Sequence, residues 1–155
     1  MTTILVVEDG TEYTDAFREL AATPLELLRA SDLEEAQRLL AERAVDAVFL
    51  DVVFDRTAPG KLSGNREGLI RRFGGDRERA ERHLAENQGF YLVNELAPLL
   101  PAGIPVVLAY DFSAEPGRLA ALREKCATLS GIADGAPISA VLSSFTSGGT
   151  RGGPP

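Results

Sequence analysis

Ile4-Leu5-Val6-Val7-Glu8-Asp9 and Val45-Asp46-Ala47-Val48-Phe49-Leu50-Asp51 are the two stretches whose reading decides the fold. Each is a short apolar run, rich in β-branched residues, that ends abruptly in carboxylates. Such runs read as strands of a parallel sheet buried on both faces. A carboxylate just past such a strand sits at the C-terminal edge of the sheet, where open α/β folds place their ligands. Two adjacent strands ending this way gather Glu8, Asp9 and Asp51 in one crevice. Three carboxylates there repel one another unless a cation joins them, so the pattern points to a divalent metal site.

Outward from these runs, strand and helix alternate. Thr11 to Ala22 has helical spacing, with Ala16, Phe17 and Leu20 on one face, and Pro24 breaks it. Leu25 to Ala30 reads as a second strand. Ser31 with Glu34 three residues later forms a capping box for a helix carrying Leu33, Ala36, Leu39 and Leu40. After the strand ending at Asp51 and a charged intervening segment, Phe90 to Leu100 is helical and ends at Pro101-Ala102-Gly103. Ile104 to Ala109 is a fourth strand, and Pro116 to Cys126 a helix with proline in its first turn. Thr128 to Ala133 is a weak fifth strand, and Ile138, Val141, Leu142 and Phe145 stripe a last helix. Five such βα units imply an α/β three-layer sandwich, a five-stranded parallel sheet with flanking helices. The domain is expected over residues 1–146, with an insertion over about 56–88 and a flexible tail at 147–155 that has too little apolar material to pack.

At 155 residues, with 45% apolar and 25% charged residues, the chain suits one globular domain. No apolar run is long enough to cross a bilayer, and no basic region precedes a signal-type apolar core. The single cysteine, Cys126, excludes an internal disulfide and a cysteine-based zinc site. These features favour a cytoplasmic protein with no membrane partner. The net charge of −7 argues against direct nucleic-acid binding. That charge is uneven: residues 56–89 hold eight of the 16 basic residues and five of the 23 acids, giving +3 against −10 for the remainder.

With these pieces in place, the chain resembles the response-regulator receiver (CheY-like) family, a flavodoxin-like fold. The resemblance rests on Ile4–Asp9, Asp46–Asp51, Gly89-Phe90-Tyr91-Leu92-Val93-Asn94-Glu95-Leu96 and Ile104–Leu108, and on the 42 residues that separate Asp9 from Asp51. It implies that Asp51 is the phosphoacceptor, taking a phosphoryl group from a histidine kinase. It also implies that Glu8, Asp9 and Asp51, with the backbone carbonyl of Val53, hold Mg²⁺, which neutralises charge developing in an in-line transfer.

Three features depart from the family pattern. The hydroxyl residue expected at the end of the fourth strand is replaced by Tyr110, flanked by Ala109 and Asp111. The lysine expected at the end of the fifth strand is absent from Gly131-Ile132-Ala133-Asp134-Gly135. Roughly 30 additional residues follow Asp51, punctuated by Gly60, Gly64, Gly74 and Gly75, with a charged helical run over 76–87 that extends the third helix backward. Arg56 and Lys61 are the cations in reach of the pocket that could stand in for the missing lysine. His83 reads as a surface histidine, Cys126 as packing, and the arginines of 71–82 as a solvated face or an interaction surface.

The resulting expectation is a stand-alone, atypical receiver domain in phosphorelay signal transduction. It is not an enzyme, and it acts through protein–protein interaction with a histidine kinase or another signalling protein; homodimerisation is left open. The alternative is a Mg²⁺-dependent phosphohydrolase with Asp51 as nucleophile. Haloacid-dehalogenase-like enzymes need a second aspartate two residues further on, where this chain has Val53, and the next acid is Asp55.

Overall fold

The computed structural model describes residues 1–147. The expected tail lies, beyond Ser147, outside the described residues.

Five strands form one parallel sheet: β1 (Thr2–Val7), β2 (Leu25–Ala30), β3 (Ala47–Leu50), β4 (Val106–Leu108) and β5 (Leu129–Ser130), in the order β2-β1-β3-β4-β5. The continuous apolar runs of β1 and β3 are explained by helices on both sides. Ile4, Val6, Ala47, Phe49 and Val107 face a core shared with Phe17 of α1 (Glu12–Leu20) and with Val141, Leu142 and Phe145 of α7 (Ile138–Ser147). Leu5, Val7, Val48, Leu50 and Leu108 face the other core, which Ala36 of α2 (Leu33–Glu42) and Phe90, Leu92 and Leu96 of α5 (Gln88–Leu96) complete. Helix α6 (Pro116–Arg123) packs its Leu119 and Leu122 against the same core.

Several boundaries differ from the sequence expectation. Leu20, placed on the buried face of α1, is 47% exposed, because α1 ends there and its core contacts are made earlier, by Tyr13 and Phe17. The N-cap of α2 is Asp32, which accepts from the Glu35 N–H at 2.9 Å, while the Glu35 carboxylate reaches back to the N–H and hydroxyl of Ser31. The box is therefore shifted by one residue from Ser31–Glu34. Strand β5 spans two residues, not six: its pairing with β4 stops at Val107–Ser130.

The segment after β3 contains a 3₁₀ turn (Pro59–Lys61), α3 (Arg66–Arg72) and α4 (Arg77–Glu86). Helix α4 is separate from α5, not a backward extension of it. Asn87 breaks the chain between them, and its backbone N–H and side-chain amide both donate to the His83 carbonyl. Helices α3 and α4 share a small core of Leu69, Ala80 and Leu84, flanked by Phe73 and Tyr91. His83 is half-buried between the rings of Phe73 and Tyr91, at 5.8 and 6.4 Å, not on the open surface. The segment is fastened to the main body by buried bonds: the Ser63 N–H donates to Gln88 Oε1 (2.7 Å), and the Phe54 N–H to the Ala85 carbonyl (2.8 Å).

Gly89, in the first turn of α5, sets the approach of that helix to the end of β3. A Cβ there would lie 2.4 Å from the Asp51 carbonyl oxygen and 2.9 Å from Val52 Cα. Both contacts are backbone, so the helix would have to move. Gly89→Ala is expected to destabilise the fold by about 2 kcal/mol despite alanine's better helix propensity. Urea unfolding measures this; an unchanged midpoint would mean that α5 is loosely seated.

Candidate functional site

The register Val7↔Leu50 brings the C-terminal ends of β1 and β3 side by side, so Glu8, Asp9 and Asp51 leave the sheet at one edge. Their side chains have different environments.

Glu8 is 1% exposed, and its carboxylate is spent on the first turn of α1. Oε1 accepts from the Tyr13 N–H (3.0 Å), and Oε2 accepts from both the N–H and the hydroxyl of Thr14 (2.7 Å each). A carboxylate at a helix N-terminus also complements the helix dipole. Thr11, the residue preceding α1, makes no side-chain cap, so Glu8 supplies what the sequence next to the helix does not.

Asp9 is held from the other side. Its Oδ2 accepts from the Arg56 N–H (2.7 Å) and from the Thr57 hydroxyl (3.1 Å). The Arg56 guanidinium meets both carboxylate oxygens of Glu12, at 2.7 and 3.2 Å. This hydrogen-bonded partner is the main reason the Glu12 carboxyl is lowered to about 2. Lys61 lies farther out, 3.8 Å from Asp32 and 3.9 Å from Glu34. Neither cation forms an ion pair with Asp51.

Asp51 is half-buried at the end of the central strand. Its Oδ1 accepts from the Val52 N–H at 2.8 Å, and Oδ2 has no donor among the described residues. Burial, opposed by the Val52 N–H and reinforced by the charges of Glu8, Asp9 and Glu12, pushes its carboxyl up to about 6. At neutral pH the group is still mostly ionised, which leaves an oxygen available as a nucleophile.

Tyr13 is a neighbour that the sequence analysis missed. Its ring lies against Phe49, with centroids 4.6 Å apart, and its phenol is raised first by burial and then by the charge of Asp51. Tyr13 stands four residues before Phe17, and both rings meet Phe49, so the helical spacing of α1 was the signal that could have found it.

The residues at the positions that read the phosphoryl group in the resembling family are committed locally. The Tyr110 hydroxyl donates to Glu115, and its ring packs 4.9 Å from those of both Phe90 and Phe112. The Arg118 guanidinium caps Phe90 at 3.6 Å. Asp111 accepts from the N–H and hydroxyl of Ser113 (2.8 and 2.6 Å) and from the Asp134 N–H (2.8 Å), and its carboxyl is lowered chiefly by that hydroxyl. The Asp134 side chain is exposed.

Whether these residues fit a divalent ion can be judged from their donors. Among the described residues, no group of three or more histidine, cysteine or acidic side chains is placed to hold one. Glu8 has its acceptors filled by α1, and one oxygen of Asp9 is filled by the chain after β3. In this conformation the set Glu8, Asp9, Asp51 and the Val53 carbonyl does not fit Mg²⁺. No helix among the described residues is long and apolar enough to cross a membrane.

No family model matches the sequence, and no curated protein matches it. Solved structures do. A response regulator from Burkholderia pseudomallei, solved with a phosphorylated aspartic acid, a calcium ion and citrate, is 14% identical with a TM-score of 0.59; the match covers 99% of this chain and 71% of that one. The receiver domain of a Francisella response regulator is 12% identical with a TM-score of 0.61, covering 98% and 99%. A response-regulator receiver domain from Clostridium thermocellum is 14% identical with a TM-score of 0.59, covering 99% and 98%. The strand order, the flanking helices and these likenesses agree: the chain has the CheY-like fold of response-regulator receiver domains.

Proposed function

We propose that this chain is an atypical receiver module of a phosphorelay, acting through protein–protein interaction, with Asp51 as its candidate phosphoacceptor. The observation that carries this reading is Asp51 itself: a half-buried carboxylate at the end of the central strand, with one oxygen oriented by the Val52 N–H and the other without a donor among the described residues. Oδ2 attacks the phosphorus of a phosphodonor in line, the P–O or P–N bond to the donor breaks, and the donor leaves with that electron pair. No step of this reading runs through a metal. The donor is a histidine kinase or another signalling protein, and the module works in the cytoplasm as one domain over residues 1–146, with 56–88 as its insertion.

Acetyl phosphate tests the acceptor directly. Intact mass is expected to show one added phosphoryl group on the wild type and none on Asp51→Asn. Labelling that survives this substitution would remove Asp51 from its role. Continuous phosphate release from p-nitrophenyl phosphate would favour the hydrolase instead.

The partner surface in this reading is the corner between α3 and α4. The guanidinium groups of Arg72 and Arg79 converge on the half-buried ring of Phe73, at 6.0 and 4.4 Å, and neither has an ion-pair partner among the described residues. Arg71, Arg77 and Arg82 are exposed nearby. Arginine over an aromatic ring, on the basic part of an acidic chain, suits an acidic protein segment. In a low-salt NMR titration with decaglutamate, shifts are expected at Arg72, Phe73 and Arg79, and Arg72→Ala/Arg79→Ala is expected to weaken binding about tenfold. Equal binding by the double variant would place the partner elsewhere.

A further inference from the structure

The Asp51 N–H donates to the Val7 carbonyl at 2.9 Å, so the ladder between β1 and β3 runs one residue past β3. Side chains alternate along a strand, which puts Asp51 on the face of Phe49 and not on that of Leu50. The first turn of α1 covers that face. The Tyr13 ring packs 4.6 Å from Phe49, and the Tyr13 N–H is held by Glu8 Oε1 at 3.0 Å, at the neighbouring strand end. Ring and backbone of Tyr13 are thus both fixed beside Asp51. Its hydroxyl has no hydrogen-bond partner among the described residues.

Three further observations bear on that hydroxyl. After burial, the charge of Asp51 raises the phenol most, ahead of those of Glu8 and Glu12. The phenol therefore keeps its proton at neutral pH and can donate it. Tyr13, Ala109 and Ile132 line a cavity of about 180 Å³, and the Ala109 N–H donates to the Leu50 carbonyl at 2.8 Å, which sets this cavity next to Asp51. The other phenol on the cavity wall, Tyr110, is already bonded to Glu115, and Asp111 is occupied by Ser113 and the Asp134 N–H.

We propose that the Tyr13 hydroxyl donates to an oxygen of the phosphoryl group transferred to Asp51, so that Tyr13 is a catalytic residue of the transfer. This inference rests on the reading of Asp51 as phosphoacceptor. A group bonded to Oδ2 extends its oxygens beyond the carboxylate, on the face that Tyr13 covers. Asp51 and Tyr13 are not bonded to each other, so no existing hydrogen bond has to break for the phenol to engage those oxygens. A donor already in place stabilises charge on the transferring group without reorganising first.

The rate of acetyl phosphate labelling, followed by intact mass on the full chain, tests this. Tyr13→Phe removes one oxygen and keeps the ring on Phe49; it is expected to label about tenfold more slowly than the wild type. Tyr110→Phe, which removes the other phenol hydroxyl at this cavity, is expected to label at the wild-type rate. An unchanged urea midpoint for Tyr13→Phe verifies that the slowing is not a loss of fold. The ¹³Cζ resonance of Tyr13 is expected to move on labelling while that of Tyr110 stays, a readout that a packing role would not give. A wild-type rate for Tyr13→Phe, or a Tyr13 resonance that does not move while Asp51 carries the label, would overturn this proposal alone. Label that survives Asp51→Asn, or no label on the wild type, would overturn the acceptor reading and this proposal with it.

Discussion

Glu8→Ala is expected to destabilise the protein by about 3 kcal/mol, the larger of the two principal effects anticipated here. The substitution removes one carboxylate and leaves three donors without it: the N–H groups of Tyr13 and Thr14 and the Thr14 hydroxyl, the last two bonded at 2.7 Å in a buried setting. Unsatisfied buried donors cost more than the mean worth of a hydrogen bond, because each retains its full desolvation penalty. Glu8→Gln keeps an acceptor oxygen for Thr14 but turns an NH₂ toward Tyr13, so about half the loss is expected. Urea unfolding of the three proteins decides the matter. A carboxylate poised solely for a metal would behave oppositely: its removal would relieve repulsion of Asp51, and Glu8→Ala would be neutral or stabilising.

Asp51→Asn is expected to raise stability, but only where Asp51 is charged. Burial lifts the folded-state carboxyl to about 6, above its ordinary 3.8. The folded state therefore holds this proton more tightly than the unfolded chain does. The stabilisation from the protonated form is complete below about pH 4 and is lost as pH rises through about 6. A shift of that size without screening would be worth about 3 kcal/mol; because Asp51 is partly exposed, a gain of about 1–2 kcal/mol at pH 8 is expected for the asparagine, with none at pH 4. Asparagine retains an acceptor for the Val52 N–H, so the wild type–variant difference isolates the charge. Equal stability at both pH values would show that Asp51 is solvated and not held in a strained acidic edge.

The fold was legible because its signals are local and repeated. Ile4–Val7 and Ala47–Leu50 are apolar throughout since helices cover both faces of the sheet, and each following helix announces itself by spacing. The cap of α2 was misread because Ser31-x-x-Glu34 and Asp32-x-x-Glu35 both satisfy the same pattern; only the backbone turn selects Asp32. The edge position of Asp51 followed from its strand. The environments of Glu8 and Asp9 did not, because their donors come from a helix start and from a segment 47 residues away. An acidic pair looks the same in sequence whether it faces a metal, a helix N-terminus or an arginine. The same holds for Tyr110 and Asp111, whose partners Glu115, Ser113 and Asp134 are set by loop geometry.

A phosphoryl group can shift a conformation only through contacts that differ between two states. Here the Tyr110 hydroxyl is engaged by Glu115, its ring is locked between Phe90 and Phe112, and the described residues offer no lysine or arginine paired to Asp51. On the function proposed above, signalling then runs through a standing surface and not through a switch. The decisive comparison is the ¹⁵N–¹H spectrum of the chain before and after acetyl phosphate treatment, with labelling at Asp51 verified by mass. Shifts confined to Asp51 and its immediate neighbours at the ends of β1 and β3 are expected. Large shifts spreading through Tyr110 into α6, from Pro116 to Arg123, would reveal a working switch and contradict this reading.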